Sequence, residues 1–176
     1  MCAWNTSRIP GTRGAQASTR QRLGSSACTS RSYKTGAGPP SDDKAMTVSP
    51  VNLNQALAGF TDIYSPRIIG RVNDYDIKIA HTRGEHVWHV HDHTDEFFLV
   101  LDGVFDITLR DGGGERTVSL GPGEIFVVPQ GTEHKPSSSG GSILMFEPSG
   151  TSTTGDRHEG EIPAYVDSTT GRTIGD

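Results

Sequence analysis

The feature that most constrains the fold is a series of short apolar segments between residues 66 and 148, separated by turn signals. Several of the segments alternate apolar with polar residues, which is typical of β-strands. The segments are Ile68–Val72, Tyr75–Ile79, Glu96–Leu101, Phe105–Leu109, Ile125–Val128 and Ile143–Phe146. The turn signals between them are rich in Gly, as in Asp111–Gly114 and Gly140-Gly141. We therefore predict an all-β barrel or sandwich for this region.

Sequence on either side of these segments has a different character. Leu53, Leu57 and Phe60 recur at helical spacing and Asn52 is available as a cap, which predicts one short helix over 52–60. Residues 46–64 are then the helix and a lead-in, and residues 65–150 form the β-domain. Residues 151–176 return to loop composition, and Ala164–Val166 is the candidate for a last strand.

The N-terminal segment differs from the rest in charge. Residues 1–41 contain no Asp or Glu and carry a charge of +6 within a chain whose formal net charge is −5, so the remainder carries −11. Ile9 and Leu23 are the only Val, Ile or Leu residues in it. Because so little apolar surface cannot offset the entropy of ordering a chain, we predict a disordered basic extension over residues 1–45.

Three interpretations of this extension remain open. Its Arg- and Ser-rich, acid-free composition is that of an organelle transit peptide. It could instead be an arm that attracts anionic partners. It could also precede the true start of translation at Met46, in which case a cytoplasmic location is expected.

Composition excludes several classes of protein. The longest wholly apolar run is Phe97 to Leu101, which is too short for a transmembrane helix, and no membrane partner is expected. The acidic balance argues against a general nucleic-acid-binding surface. Cys2 and Cys28 are the only cysteines, so neither a disulfide framework nor a Cys-based zinc site is plausible.

The segment Glu96–Leu101 is apolar on both of its faces. A strand with one solvated face should carry polar side chains there. Both faces must therefore be covered, the outer one by a second sheet, by the helix at 52–60 or by a partner subunit. We take this pattern as evidence for a homodimer.

Clustered histidines indicate a candidate functional site. Four of the seven fall between positions 86 and 93, and the i and i+2 positions of a strand share a face. His89 and His91 therefore project together, and a hairpin would bring Glu96 back beside them. Paired imidazoles on a strand are half of a metal site. His81, His86 and His158 are interpreted as ordinary histidines without a role in the site.

Two motifs resemble those of the cupin superfamily. Gly84, His89, His91, Glu96 and Gly103 match its first motif, with one residue fewer than usual between Gly84 and His89. A second stretch, from Gly123 through Pro129 and Gly131 to His134, matches its second motif, with Ser138 where an Asn is common. The amino-acid sequences of both motifs are similar to those of small bacterial single-domain cupins. Such proteins are often labelled mannose-6-phosphate isomerase-like on the basis of fold.

The resemblance implies a double-stranded β-helix, the jelly-roll barrel, and a divalent metal held by His89, His91, Glu96 and His134. Such nitrogen and oxygen ligands suit Mn, Fe, Co, Ni, Cu or Zn, and the sequence does not choose among them. The apolar pocket around the metal is predicted from Phe98, Ile107, Leu109 and Met145.

An intact ligand set favours a metal-dependent enzyme acting on a small oxygen-bearing molecule, of dioxygenase, isomerase or decarboxylase type. Catalytic residues are not identified, although Tyr75 and Glu133 are conceivable acid–base groups. The alternative is a non-catalytic module that binds a metal or a small ligand.

Overall fold

The structure, a computed structural model, describes residues 49–175. The predicted basic extension at 1–45 lies outside the described residues. The described part contains one short helix and nine strands: α1 Leu53–Leu57, β1 Arg67–Val72, β2 Tyr75–Glu85, β3 Trp88–Val90, β4 Glu96–Asp111, β5 Gly114–Leu120, β6 Ile125–Val128, β7 Glu133–Pro148, β8 Arg157–Glu159 and β9 Arg172–Thr173.

Antiparallel pairing connects almost all of these strands. The main path of hydrogen-bonded neighbours runs β5-β4-β7-β2-β1-β9, in which only the pair β1 and β9 is parallel. Strand β6 pairs with the first residues of β4, and β3 connects β7 to β8. The chain therefore forms the predicted all-β jelly-roll barrel, and the fold prediction is confirmed.

The two longest strands, β4 and β7, pair along most of their length and bend together. The sequence pattern predicted two strands on either side of Asp102-Gly103, whereas the structure has one continuous strand with register shifts near residues 101 and 104. Gly103 has φ +78°, and a Cβ there would collide with the backbone of Gly140 and Gly141. Close approach of two backbones at this bend therefore requires glycine.

Inward-facing side chains of these strands build one hydrophobic core. The largest fully buried members come from β4, with Phe98, Phe105, Ile107 and Leu109 all essentially inaccessible to solvent. Burial of one such side chain stabilises the fold by about 1.5–3 kcal/mol.

The helix is shorter than predicted. Asn52 caps it, because its Oδ1 accepts a hydrogen bond from Gln55 N at 3.1 Å, but regular helix ends at Leu57. Gly59 disfavours a further turn. The ring of His81 lies 3.0 Å from the carbonyl oxygen of Leu57 and so ties the end of the helix to β2.

The C-terminal segment also differs from the prediction. Ala164–Val166 is a turn and not a strand, because the amide of Val166 donates to the nearby carbonyl of Pro163 at 2.8 Å. Val166 is nevertheless buried in the core, and the amide of Asp167 donates to Tyr64 O at 2.9 Å. The segments that precede and follow the β-domain therefore contact each other.

Candidate metal centre

Four side chains predicted from the sequence motifs meet at one end of the barrel. His89 lies in β3 and His134 in β7, and the two residues are direct cross-strand partners. His91 follows β3, and Glu96 is the first residue of β4. All four are buried, and the nitrogen and oxygen atoms that they offer lie within 4.8 Å of one another.

Distances within the cluster are close to those expected of ligands around one ion. Glu96 Oε2 lies 2.8 Å from His134 Nε2, 3.4 Å from His91 Nε2 and 3.9 Å from His89 Nε2. Two atoms that each lie about 2.1 Å from a shared ion are separated by about 3 to 4 Å. The residues His89, His91, Glu96 and His134 could therefore hold a metal ion together.

Backbone carbonyls orient two of the imidazole rings. His89 Nδ1 donates to Val87 O and His134 Nδ1 donates to Thr132 O, each at 3.0 Å. A neutral ring that carries its proton on Nδ1 presents an unprotonated Nε2, which is the form that binds metal. In both residues Nε2 is the atom that faces Glu96.

Orphaned polar atoms provide the test of whether a cation fits. Within residues 49–175, the Nε2 atoms of His89 and His91 are buried without a hydrogen-bond partner. The ring of His134 faces a carbonyl oxygen at Nδ1 and a carboxylate oxygen at Nε2. Both oxygens are acceptors, so each requires a proton on the ring nitrogen or a cation nearby. Because unpaired buried polar groups are costly, a divalent cation suits this donor set.

The electrostatics of the site favour an ionised carboxylate and at least one neutral imidazole. Burial alone would raise the pKa of Glu96, but the hydrogen bond with His134 and the proximity of His91 outweigh it and hold this pKa well below its usual range. Burial, assisted by the neighbouring His134, lowers the pKa of His89 well below its usual range. His91 responds in the opposite direction, because Glu96 raises its pKa in spite of burial.

A cavity beside the cluster combines a polar end with an apolar wall. The cavity is small, with an accessible volume of about 30 Å³. His89 and Glu96 belong to its polar end. Its other lining residues include Tyr64, Ala80, His86, Phe98, Phe105, Ile143, Met145 and Glu147.

Two of the four predicted pocket residues line this cavity. Phe98 and Met145 form part of its apolar wall. Ile107 and Leu109 do not line it and lie in the hydrophobic core. Leu109 is the cross-strand partner of His134 and shares its face of the sheet, but its side chain packs in the hydrophobic core.

The two conceivable acid–base groups lie outside the cavity. Tyr75 is exposed and its ring stacks on Phe146 at 5.0 Å, outside the barrel. Glu133 is half-exposed and faces Arg110 at 3.8 Å, beside a surface depression near Trp88 that His89 also lines. Neither side chain reaches the buried cluster.

Sequence reasoning missed several groups that the structure places in the cavity. His86, interpreted above as an ordinary histidine, is buried there with its ring centre 4.9 Å from that of His89. Burial lowers its pKa to about 4. Tyr64 adopts φ +47°, a conformation that is unusual for a non-glycine residue, and its hydroxyl donates to Gly84 O at 3.0 Å.

Glu147 in β7 was also missed. It is buried in the cavity wall, and Lys78 Nζ donates to its Oε1 at 2.6 Å. The signal that could have revealed it is charge within an apolar strand: Glu147 directly follows the run Ile143–Phe146, at the same parity as Met145.

Fold and site together define a small single-barrel protein with a buried three-His, one-Glu cluster. The model of the Cupin_2 family, described as a cupin domain, matches residues 77–146. A solved cupin-2 domain containing protein from Shewanella frigidimarina is 39% identical, with a TM-score of 0.53, over 56% of this chain and 93% of that one. The chain belongs to the cupin-2 family.

Curated relatives match over shorter shares of their length. The uncharacterized protein YdbB of Bacillus subtilis is 36% identical over 67 residues, which is 38% of this chain and 57% of that protein. A 3-hydroxyanthranilate 3,4-dioxygenase of Xanthomonas campestris is 27% identical over 106 residues, which is 58% of this chain and 60% of the enzyme. The chain thus spans less than two thirds of these relatives.

Proposed function

We propose that this protein binds one divalent metal ion through His89, His91, Glu96 and His134 and is a metal-dependent enzyme for a small oxygen-bearing molecule. The observation that carries the proposal is the convergence of four buried ligand atoms, two of them without hydrogen-bond partners in the described part of the chain. Buried orphaned imidazoles are costly unless an ion or a proton completes them.

A divalent ion held by these four ligands supplies a Lewis acid and free coordination positions for water, oxygen or a substrate oxygen. The chain's own residues do the rest. Val87 O and Thr132 O fix the rings of His89 and His134. Phe98 and Met145 exclude water from the apolar side of the cavity and shape the space for a small substrate.

Dioxygenation is the reaction class that we propose first. Its support is the similarity to the 3-hydroxyanthranilate 3,4-dioxygenase, which extends over 106 residues of this chain. The protein is loaded with iron(II) under anaerobic conditions and then assayed in the presence of oxygen. It should consume oxygen when 3-hydroxyanthranilate or a smaller hydroxylated analogue is added. His158→Ala serves as a control, because His158 lies in an exposed strand outside the cluster.

A second observation favours the non-catalytic alternative, a metal-dependent binding module. The cavity is small, with an accessible volume of about 30 Å³, which is little space for an aromatic substrate. Water-proton relaxation of the manganese(II)-loaded protein distinguishes the two functions. An enzyme needs an exchangeable water on the ion and should enhance relaxation, whereas an ion with a closed set of ligands would contradict the catalytic proposal.

We further propose that the protein is a homodimer and that a second copy covers the outer face of β4, β6 and β7. Aligned pairs on this face are all apolar and form what we call the outer patch: Phe97, Leu99, Ile125, Val127, Leu144 and Phe146. Ile125 is 59% exposed and Val127 43% exposed. Contiguous apolar patches of this kind are typical of protein interfaces.

Sedimentation velocity tests the dimer. Ile125→Lys should shift the protein from dimer to monomer, because a charge in an apolar interface is costly. Val72→Lys is the matched control, since Val72 is 47% exposed but lies at the end of β1, outside the outer patch. A wild-type monomer at high protein concentration would contradict the proposal.

The location also stays a prediction. Among the described residues no helix is long and apolar enough to cross a membrane. We propose a cytoplasmic protein whose partner is a small-molecule substrate or ligand and not a nucleic acid. Fractionation of cells that express the tagged full chain tests this location against import into an organelle.

A further inference from the structure

A buried ion pair lies next to the proposed metal ligands on the inner face of the barrel. Strands β4, β7 and β2 are neighbours in the sheet and bury Glu96, Glu147 and Lys78, respectively. Strand β2 also buries Asp76, the cross-strand partner of Glu147. Lys78 is 0% and Glu147 2% exposed at the side chain.

The carboxylate of Glu147 is held at one oxygen and available at the other. Lys78 Nζ donates to Oε1 at 2.6 Å and also lies 3.3 Å from Thr151 O. Glu147 Oε2 accepts no hydrogen bond from residues 49–175, and Glu147 lines the cavity together with Glu96 and His89. Glu147 therefore brings a carboxylate, held at one oxygen, to the wall of the cavity that His89 and Glu96 also line.

Stability does not explain this pair. Removing two charges from water is expensive, and apolar residues of the same volume often stabilise a fold equally well or better. Ala80, Phe98, Ile143 and Met145 already provide apolar lining for the same cavity. A charged pair placed among them is better explained by a ligand that needs a polar partner.

We propose that Glu147 determines which ligands the metal site accepts: its Oε2 receives a hydrogen bond from a hydroxyl group of a small metal-chelating molecule, while Lys78 holds the carboxylate in place. The inference rests on the proposed metal-binding function and deepens it. The ligand class is a compact molecule with a hydroxyl group next to a second oxygen, such as a 2-hydroxy acid or a hydroxyketone.

Two chelating probes, one with a hydroxyl group and the other with that hydroxyl methylated, test this inference. Glycolate and methoxyacetate offer the same oxygens and the same charge, but only glycolate can donate from its hydroxyl group. Each is titrated into the cobalt(II)-loaded full chain and followed by the visible d–d absorption of cobalt. Because burial raises the pKa of Glu147 to about 7, the titrations are done at about pH 8.5.

Wild-type protein should bind glycolate at least about tenfold more tightly than methoxyacetate, which is the size of one hydrogen bond to a charged group. Glu147→Gln should reduce that ratio severalfold, and the double variant K78Q/E147Q should reduce it similarly without leaving a buried charge. Asp76→Asn is the matched control and should preserve the ratio. Asp76 is equally buried, but its carboxylate binds Arg71 and Ser149 and does not line the cavity.

Each outcome is decisive. Equal affinity of the two probes for the wild-type protein overturns the inference without any variant. A ratio that survives in K78Q/E147Q, with one cobalt still bound, overturns it as well and leaves the metal-binding proposal intact. Wild-type protein that binds no cobalt removes both proposals together, so the two failures are distinguishable.

Discussion

Glu147→Met should destabilise the protein strongly, because it leaves the ammonium of Lys78 buried without its carboxylate. The side chain of Lys78 is 0% exposed, and its other hydrogen bond is a longer one of 3.3 Å to Thr151 O. Breaking a buried ion pair costs about 3–5 kcal/mol. That loss is a large share of the roughly 5–15 kcal/mol that stabilises a typical domain.

Replacement of both partners should restore most of this stability. In the double variant K78M/E147M no charge is left buried, and two unbranched apolar side chains fill a similar volume. We expect its free energy of unfolding to lie within about 1–2 kcal/mol of the wild-type value. The interaction free energy between the two substitutions should therefore be stabilising and similar in size to the stability lost in Glu147→Met alone.

Urea denaturation of metal-free protein, followed by circular dichroism, measures these differences. With a slope of about 1–3 kcal/mol per molar urea, the single variant should unfold at a midpoint about 2 M lower than wild type. Glu115→Gln is the control, since its ion pair with Arg110 is solvent-exposed and should contribute less than about 1 kcal/mol. A single variant that loses less than about 1 kcal/mol, or a double variant as unstable as the single one, would refute this account.

Three further predictions follow from the fold and the cavity. His86→Gln should make the metal-free protein less sensitive to acid. Because burial lowers the folded-state pKa of His86 to about 4, the free energy of unfolding of the wild type should fall by up to about 3 kcal/mol as the pH falls from about 6.5 to 4. Urea denaturation at several pH values measures this difference. An equal pH dependence in the two proteins would contradict this. Gly103→Ala should destabilise by more than about 2 kcal/mol in the same assay, because φ is positive and Gly141 leaves no space, whereas Gly112→Ala at an open hairpin tip should have little effect. Tyr64→Phe should lower stability by about 1 kcal/mol through loss of its hydrogen bond to Gly84 O, and an unchanged melting temperature would count against that bond.

The β-architecture could be predicted because the turns are explicit in the sequence. Glycine pairs and Asp-Gly steps interrupt alternating apolar segments, and this pattern leaves few folds other than a barrel or sandwich. The pattern could not show that β4 passes through Gly103 without a break. That continuity depends on pairing with β7, which lies about 40 residues further along the chain.

The four-residue cluster was predictable for a related reason. His89 and His91 share a strand face, and the motif spacing adds Glu96 and His134, whose contacts the structure then shows. The rest of the cavity was not predictable. Lys78 alternates with Ile77 and Ile79 in a way that typically indicates a solvated polar face, yet the structure turns Lys78 inward to meet Glu147.

His86 and Tyr64 illustrate the same limit. Neither belongs to a motif, and each enters the cavity through tertiary contacts: His86 N donates to Pro136 O, and Tyr64 N donates to His81 O. Local sequence does not predict such long-range contacts, so the burial of one particular histidine in a His-rich stretch could not be predicted.

Metal analysis of purified protein tests the central claim most directly. The protein is expressed without added metal, and its metal content per chain is measured by inductively coupled plasma mass spectrometry beside His89→Ala, Glu96→Ala and the exposed control His158→Ala. The account predicts about one divalent ion per chain in wild type and in the control, and loss of that ion in the two cluster variants. Stoichiometric metal retained by both cluster variants would contradict it.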